Sequence, residues 1–458
     1  MTVKVLEALS RKLDEAEAPL RDLDAVYAGE QPLSFLSPEA REALGNRLRV
    51  LVANYPRLVV DSLSERLRVT GFTVDGRPLD EVWQAWQDAE FDDAHQVAHT
   101  EALTLGRSYV TVWADSTGAP SLTVESPHEV AVSRDPVTRE VTAAAKRWRE
   151  DGRARAMLFL PDRLFEYVSS ARVPEGGVIP PEGWQHMRNR PNPLGVVPVV
   201  PFVNRGRLLD VEGVSEMVGV SDLTDAISKL LADLMVSSEF GSRPRRWVTG
   251  LEVKEEPRRD DQGNVVTDED GEPLMVAVNP FGNEARRVWQ SEDPDTEFGQ
   301  FPSADLTGYE SAVGMILQAI SSVSGLPAHY LGVHGDQPAS ADAIRSAEAS
   351  LVARCHARMR TFGPSWARVA TLTAAVANGS RPRRVETVWA NPETRTVAQE
   401  ADAVTKLVQA GILPNEEALA RLGYGPDQIE TMRAASMRQA LDRQITAPPT
   451  ALPSGEEQ

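Results

Sequence analysis

Two long stretches of apolar residues at helical spacing constrain this chain more than any short motif does. Residues 213–240 and residues 304–323 each carry a stripe of apolar side chains that recurs every three or four positions, which is typical of an amphipathic helix. The stripe members are Leu223, Ile227, Leu230 and Leu234, and then Tyr309, Val313, Ile316, Ile320 and Val323. Residues 241–303 are rich in charges and turn residues, so we predict a small β-rich insert bracketed by two long helices.

Residues 1–205 show helical patterns first and strand patterns afterwards. A serine followed by a proline predicts a helix over residues 37–52, and a second helix is predicted after Pro56. A turn at Asp75 and Gly76 is expected to join two short strands. Alternating apolar and polar residues then continue to about position 203, which predicts an antiparallel sheet and an α+β fold class.

A third long helix is predicted after Ser340, whose hydroxyl is suited to cap the first backbone amides. Proline lacks a backbone donor, so Gly363 and Pro364 predict a kink or break in this helix. The predicted buried stripe of the helix consists of Ile344, Ala347, Leu351, Cys355 and Phe362.

The remaining chain is predicted to contain one strand and three short helices. The strand covers residues 384–390, and the helices lie at about 396–410, 415–422 and 426–443. Residues 444–458 are rich in proline and polar residues, so we predict that they are disordered.

Charge and cysteine content exclude several classes of protein. The 67 acidic residues outnumber the 48 basic ones and give a net charge of −19, which argues against a surface that holds nucleic acid phosphates over a broad area. One cysteine, Cys355, excludes an internal disulfide framework. The most apolar run, residues 195–203, is too short to span a bilayer, so we expect a soluble chain without a membrane partner.

Motifs that would suggest an enzyme fail on chemical grounds. His95 and His99 have the spacing of a zinc-protease helix, but Gln96 stands where a glutamate must act as base, so we interpret the pair as partly exposed structural histidines. Cys355 and His356 are sequence neighbours, which point about 100° apart on a helix and cannot form a nucleophile–base pair. We therefore predict no catalytic residue, no metal site and no cofactor.

The order of these parts, together with several local stretches, resembles a known family. The stretches include LGRSYVTVW with VESPHEV, DLTDAISKLLADLMVSSEF with RPRRWVTG, and LPAHYLGVHGDQPASADAIRSAEASL. They are similar to portal proteins of tailed double-stranded-DNA bacteriophages, in particular those of long-tailed phages that infect actinobacteria. The resemblance extends to about residue 440.

The resemblance implies a structural ring, usually of twelve copies, at one vertex of the capsid, through which DNA is packaged and later ejected. The protein is then expected in the virion, with terminase large subunit, head-tail adaptor, capsid and scaffold proteins as partners. It also implies a division into wing (1–212), stem helices (213–240 and 304–323), clip (241–303), tunnel loop (324–340), long wing helix (341–380), crown (381–443) and disordered tail (444–458).

Three groups of candidate site residues follow from the resemblance. In the tunnel loop, the side chains expected to meet passing DNA are His329, Tyr330, His334, Asp336 and Gln337. Lys229 on the first stem helix is a candidate for a charge that faces the channel, or alternatively for an ordinary exposed helix position. The candidate docking residues for the motor or adaptor are Arg243, Arg245 and Arg246, for which a solvated helix end is the alternative.

Two other functions remain open from the sequence alone. A hydrolase or nuclease acting at residues 325–336 would use His329, His334 and Asp336. A different virion structural or adaptor protein would share the helical architecture but would not form closed rings with a central channel.

Overall fold

The computed structural model describes residues 2–31, 53–205, 207–241, 246–250, 255–260, 262–267, 271–277, 294–300, 306–332, 340–393, 397–422 and 426–446. The chain divides into two compact units, residues 1–392 and residues 393–458. The helix predicted over residues 37–52 lies outside the described residues.

Most of the described residues among the first hundred are helical. The helices described there are α1 (Thr2–Ala28), α2 (Tyr55–Ser64), α3 (Asp80–Asp88) and α4 (Phe91–Leu105). Asn54 caps α2 by accepting a hydrogen bond from the Arg57 amide, and Pro56 lies in its first turn. The helix predicted after Pro56 is therefore confirmed.

The strands that follow form two antiparallel sheets. One sheet has the order β5-β6-β7-β8-β9 and the other has the order β10-β3-β4, in agreement with the predicted α+β class. Leucines at helical spacing in α1 pack with strand residues in one buried cluster, so the first helix covers a face of the five-stranded sheet. The strand bounds are β3 (Arg107–Ala114), β4 (Pro120–Glu125), β5 (Val130–Arg134), β6 (Val141–Glu150), β7 (Arg153–Phe159), β8 (Arg163–Arg172), β9 (Trp184–Pro191) and β10 (Val199–Val203).

A third sheet joins distant parts of the chain. Its strands β1 (Val69–Val74) and β2 (Arg77–Pro78) are connected by the predicted turn, in which Asp75 and Gly76 both have positive φ. Strand β15 (Val385–Trp389) pairs antiparallel with β1. Residues 381–392, predicted to begin the crown, consequently belong to the first compact unit, and the second unit begins at Glu393.

The two apolar-striped stretches form helices α5 (Val218–Gly241) and α6 (Thr307–Ser324). They run antiparallel, because Gly219 lies against Val323 at one end while the Ser237 and Tyr309 hydroxyls are 3.3 Å apart at the other. Helix α5 begins five residues later than predicted, since residues 213–217 form a turn that binds the end of α4 through the Ser215 hydroxyl and the Leu103 carbonyl. The two helices thus pack against each other within one chain, with Ile227 and Ile320 buried, whereas the predicted stripe member Val323 is 47% exposed.

The insert between these helices contains two strand pairs in its described part. Strand β11 (Arg246–Thr249) pairs with β14 (Glu297–Gln300), and β12 (Glu255–Pro257) pairs with β13 (Met275–Ala277). The predicted β-rich insert is confirmed for these residues.

Helix α7 extends without interruption from Ala341 to Asn378 and contains Pro364, so of the kink or break predicted at this proline, the break is wrong. Buried aromatic side chains on both sides of the proline, Phe362 and Trp366, anchor the helix and offset the lost backbone hydrogen bond. The Ser340 cap is confirmed, because its hydroxyl accepts a hydrogen bond from the Ala343 amide.

The predicted buried stripe of α7 is wrong in its first two turns. Ile344 is 38% exposed and Ala347 is exposed, whereas Glu348 is buried. The stripe is correct from Leu351 onward, where the helix meets the core.

Helices α8 (Val397–Gln409), α9 (Asn415–Arg421) and α10 (Pro426–Thr446) make up the described part of the second unit. They match the three predicted helices, although α10 extends three residues into the segment predicted to be disordered. Residues 447–458 lie outside the described residues. Within the described part of the chain, no helix is both long enough and apolar enough to cross a membrane.

Candidate functional site

The histidine pair of α4 belongs to the aromatic core of the first unit. His99 accepts a hydrogen bond from the Trp366 indole at 2.8 Å and stacks on Phe362 with ring centroids 5.3 Å apart. The Nδ1 atom of His95 donates to the Phe91 carbonyl at 2.8 Å. Both histidines are buried, so the predicted partial exposure is wrong, whereas the structural role is supported by these contacts.

Burial also sets the protonation state of these rings. It lowers the pKa of His99 to about 3, assisted by repulsion from neighbouring His95, and it lowers the pKa of His95 as well. Both rings are therefore neutral at physiological pH. Among the described residues, no group of histidine, cysteine, aspartate and glutamate side chains is arranged to hold a metal ion.

The single cysteine has no feature of a nucleophile. Cys355 is buried on α7, and its burial raises the pKa of the thiol to about 11. The thiolate is the reactive form of cysteine, so this side chain is poorly suited to covalent chemistry at neutral pH.

The described part of the predicted tunnel loop contains a short 3-10 helix, Ala328–Leu331. His329 lies exposed on this turn, with its ring edge-on to Tyr330 at a centroid distance of 4.8 Å. Tyr330 is half-buried and directs its hydroxyl into the protein. The other candidates of this segment, His334, Asp336 and Gln337, lie outside the described residues.

Three side chains from distant parts of the sequence meet at the base of this segment. The Arg66 guanidinium donates to the Tyr330 hydroxyl at 2.8 Å and to the Glu348 carboxylate at 3.1 Å. The Tyr330 hydroxyl donates to the same carboxylate oxygen at 2.8 Å. Arg66 also donates to the Pro392 carbonyl at 2.8 Å. We call Arg66, Tyr330 and Glu348 the root cluster.

The charges of the root cluster are matched within a largely buried environment. The Glu348 side chain is 4% exposed, and a carboxylate at this depth requires a cation and hydrogen-bond donors. Burial disfavours the charged guanidinium, but Tyr330 and Glu348 raise the pKa of Arg66 overall. Burial and the Glu348 carboxylate raise the pKa of Tyr330, so its hydroxyl stays protonated and able to donate.

Sequence reasoning missed Arg66 and Glu348, although one signal was present. Glu348 lies three residues before Leu351 and seven before Cys355, so it occupies a position of the buried stripe of α7. A carboxylate at such a position predicts a buried cationic partner. The identity of that partner, 282 positions away along the chain, requires the tertiary structure.

The candidate charge on the first stem helix lies on an exposed face. Lys229 is 44% exposed and forms an ion pair with Asp233, one turn later on α5. Asp225 lies on the same helix, and burial together with repulsion from Asp222 raises the pKa of its carboxyl. The exposed side of α5 thus carries several charges, whereas α6 contains a single charged residue, Glu310.

The insert is built around a cross-strand pair of tryptophan and glycine. Trp247 of β11 lies opposite Gly299 of β14, and a Cβ atom at position 299 would be 2.2 Å from the indole ring. Arg246 begins β11 and lies in register with Gln300. Arg243 and Arg245, the other two candidate docking residues, lie outside the described residues.

A second cluster of charged side chains lies just before the N-terminus of α5. The Glu216 carboxylate, largely buried, accepts a hydrogen bond from the Asn204 amide at 3.0 Å. It also forms ion pairs with Arg354 and Arg358 of α7. These contacts tie the start of the helical hairpin to the long helix of the first unit.

Comparisons with known proteins agree with this architecture. Residues 18–440 match the family described as "Phage portal protein, SPP1 Gp6-like". The portal protein of Mycobacterium phage D29 is 32% identical over 401 residues, which cover 83% of this chain and 77% of the relative. The portal protein of Mycobacterium phage L5 is 32% identical over 429 residues, which cover 87% of this chain and 83% of the relative.

A chain in the solved structure of the virion of a native gene transfer agent particle aligns with a TM-score of 0.46 and 15% identity. The alignment covers 89% of this chain and 94% of that chain. The family match spans nearly the whole chain, and both mycobacteriophage portal proteins are 32% identical to it. The resemblance inferred from the sequence is confirmed, and this chain belongs to the phage portal protein family.

Proposed function

We propose that this chain forms a closed ring at one vertex of a phage capsid and acts there as the channel for DNA packaging and ejection. The observation that carries the proposal is the portal family match over residues 18–440, which includes both helices of the hairpin and the insert between them. The role is structural and non-enzymatic, in keeping with the buried neutral histidines and the buried thiol. The assembled protein resides in the virion.

The charge of the chain fits a channel through which DNA slides. A net charge of −19 repels phosphates on average, so the duplex is guided without being held. Helices α5 and α6 form the stem in this proposal, with Lys229 and its neighbours on the charged side of α5 facing the channel. Residues 324–340 form the tunnel loop, with His329 as the exposed candidate for contact with DNA.

The remaining parts receive roles by the same reasoning. The wing comprises residues 1–212 together with α7, and the clip comprises residues 241–303. The clip docks the terminase large subunit and later the head-tail adaptor, with Arg243, Arg245 and Arg246 as basic contacts. The crown begins at Glu393, the start of the second compact unit, and capsid and scaffold proteins contact the outer surface of the ring.

Electron microscopy of the purified full-length chain tests this proposal. We expect rings with an open centre about as wide as a DNA duplex, with twelve copies as the expected number. Native mass spectrometry provides the copy number independently. A chain that remains monomeric at high concentration, both alone and with its capsid and scaffold proteins, would contradict the proposal.

A further inference from the structure

The root cluster joins three side chains from different parts of the chain next to the segment at residues 324–340. Tyr330 lies within the segment, Glu348 lies on α7 just after it, and Arg66 follows α2 in the first unit. Hydrogen bonds of 2.8 to 3.1 Å join the three side chains to one another. Glu348 is seven residues into α7, so it is roughly 10 Å along the helix from its first residue.

We propose that the root cluster is a latch that fixes the turn at residues 328–331 against α7, and that Arg66 is the positioning residue of this turn. The inference rests on the proposed function, because it assumes that residues 324–340 border the channel. It adds a specific mechanism: Tyr330 fixes the turn before the segment 333–339, Glu348 fixes the helix after it, and one guanidinium binds both side chains.

The chemistry of the cluster favours a single geometry. A guanidinium presents five N–H donors in a planar fork, so Arg66 can bind the hydroxyl, the carboxylate and the Pro392 carbonyl at the same time. A lysine ammonium keeps the charge but lacks this planar fork. Because the carboxylate is buried, an alternative arrangement would leave it without its cation, which is strongly unfavourable.

Apolar contacts hold the same turn independently of the latch. Leu326 and Leu331, on either side of Tyr330, are both buried in the main core cluster. Removal of the Tyr330 hydroxyl should therefore leave the turn folded while it releases the directional contacts. This separation makes Tyr330→Phe an informative variant.

Arg66 of the latch also binds the last residue of the first unit. Pro392 is its last residue, and its carbonyl accepts from Arg66 at 2.8 Å. Two residues earlier, the Ala390 amide donates to the Arg68 carbonyl at 2.9 Å. Arg66 consequently links the turn at Tyr330 to Pro392, the last residue of the first unit.

Hydrogen exchange of the assembled full-length protein tests the latch directly. We expect Tyr330→Phe to accelerate amide exchange in residues 326–332 by about tenfold, which corresponds to the loss of one hydrogen bond to a charged group. Arg66→Lys should have a larger effect on the same amides. The matched control is Tyr27→Phe, which removes a tyrosine hydroxyl bound to Asp61 at 2.8 Å in a different part of the first unit.

DNA retention in particles gives the functional readout. Particles with Tyr330→Phe should form rings of normal size but lose packaged DNA more readily than particles with Tyr27→Phe. Equal exchange of residues 326–332 in the two variants, or equal DNA retention, would overturn the latch. A third variant, with residues 333–339 replaced by a glycine–serine linker, separates the two proposals, because wild-type retention there would refute the channel role of the loop itself.

Discussion

Two tryptophans illustrate two ways in which this chain holds its parts together. Trp366 on α7 is fully buried, with five aromatic rings around it: Trp86, Phe91, His95, His99 and Phe202. Trp247 in the insert is 38% exposed and lies over the backbone of Gly299 on the neighbouring strand. The first residue organises a core, and the second covers a small strand pair.

The two regions accordingly obtain their stability from different sources. The aromatic core around Trp366 belongs to a large buried cluster of apolar side chains in the first unit. The described strands β12 and β14 of the insert are almost entirely exposed, and a two-stranded ribbon is marginal in water without further packing. We therefore expect the stability of the insert to depend on packing against other parts of the assembly. The core should fold without such contacts.

The largest effect is expected from Trp366→Ala. Truncation of a buried aromatic side chain should lower the free energy of unfolding by roughly 3–5 kcal/mol, because apolar burial is lost and a cavity is left behind. Chemical denaturation followed by circular dichroism measures this. Trp366→Phe, which keeps a ring but removes the donor to His99, should cost clearly less. Equal losses for the two variants would argue that the hydrogen bond to His99, and not packing, gives Trp366 most of its stabilising effect.

Acid should weaken the aromatic core through His99. The pKa of His99 is lowered from 6.5 to about 3 in the folded protein, so below pH 6.5 the unfolded chain binds a proton that the folded chain does not. Stability contributed by His99 is thus present above pH 6.5 and is lost as pH falls toward 3, by about 1.4 kcal/mol per pH unit. Denaturation at pH 7.5, 5.5 and 4.5 tests this.

The matched variant for the pH experiment is His99→Phe. It retains a ring that can stack on Phe362 but has no group to titrate. Its stability should depend less steeply on pH than that of the wild type. The same pH slope in both proteins would assign the acid sensitivity to other groups.

A smaller and more local effect is expected from Gly299→Ala. The added Cβ atom would clash with the Trp247 ring, and overpacking typically costs about 1–3 kcal/mol. Because this ring is partly exposed, it can move outward, so the cost should stay near the lower end, about 1 kcal/mol, and affect only the insert. The tryptophan emission should shift to the red while the main unfolding transition stays unchanged.

The smallest effect is expected from Lys229→Ala. An exposed ion pair one helical turn apart contributes about 0.3–0.5 kcal/mol, and the Lys229–Asp233 pair is of this kind. The unfolding midpoint should barely move. A loss comparable to that of the glycine variant would show that this lysine has a partner outside the monomer.

Local patterns predicted much of the fold. Apolar periodicity located helices α5, α6 and α7, and the Ser340 cap was found at the correct residue. Pro364 was misjudged because packing of the flanking aromatic side chains outweighs a local penalty, and sequence patterns do not show packing partners. The histidine pair was misjudged in burial for the same reason, since its neighbours come from α7.

The candidate site was predicted less completely than the fold. Tyr330 was identified from its place in a polar segment, but its role depends on Arg66, 264 positions earlier in the chain. Contacts over such distances leave no periodic signal in a single sequence. They become visible only when the first unit has folded and has brought α2, the 3-10 turn and α7 together.

The unbroken course of α7 has a mechanical consequence. At about 1.5 Å per residue, its 38 residues extend over roughly 57 Å, from Ala341 through the aromatic core to Asn378. A continuous helix passes a displacement along its length more directly than a loop does. A pull on the chain at Ser340 is therefore expected to reach Trp366 and then Asn378, which binds Glu81 of α3.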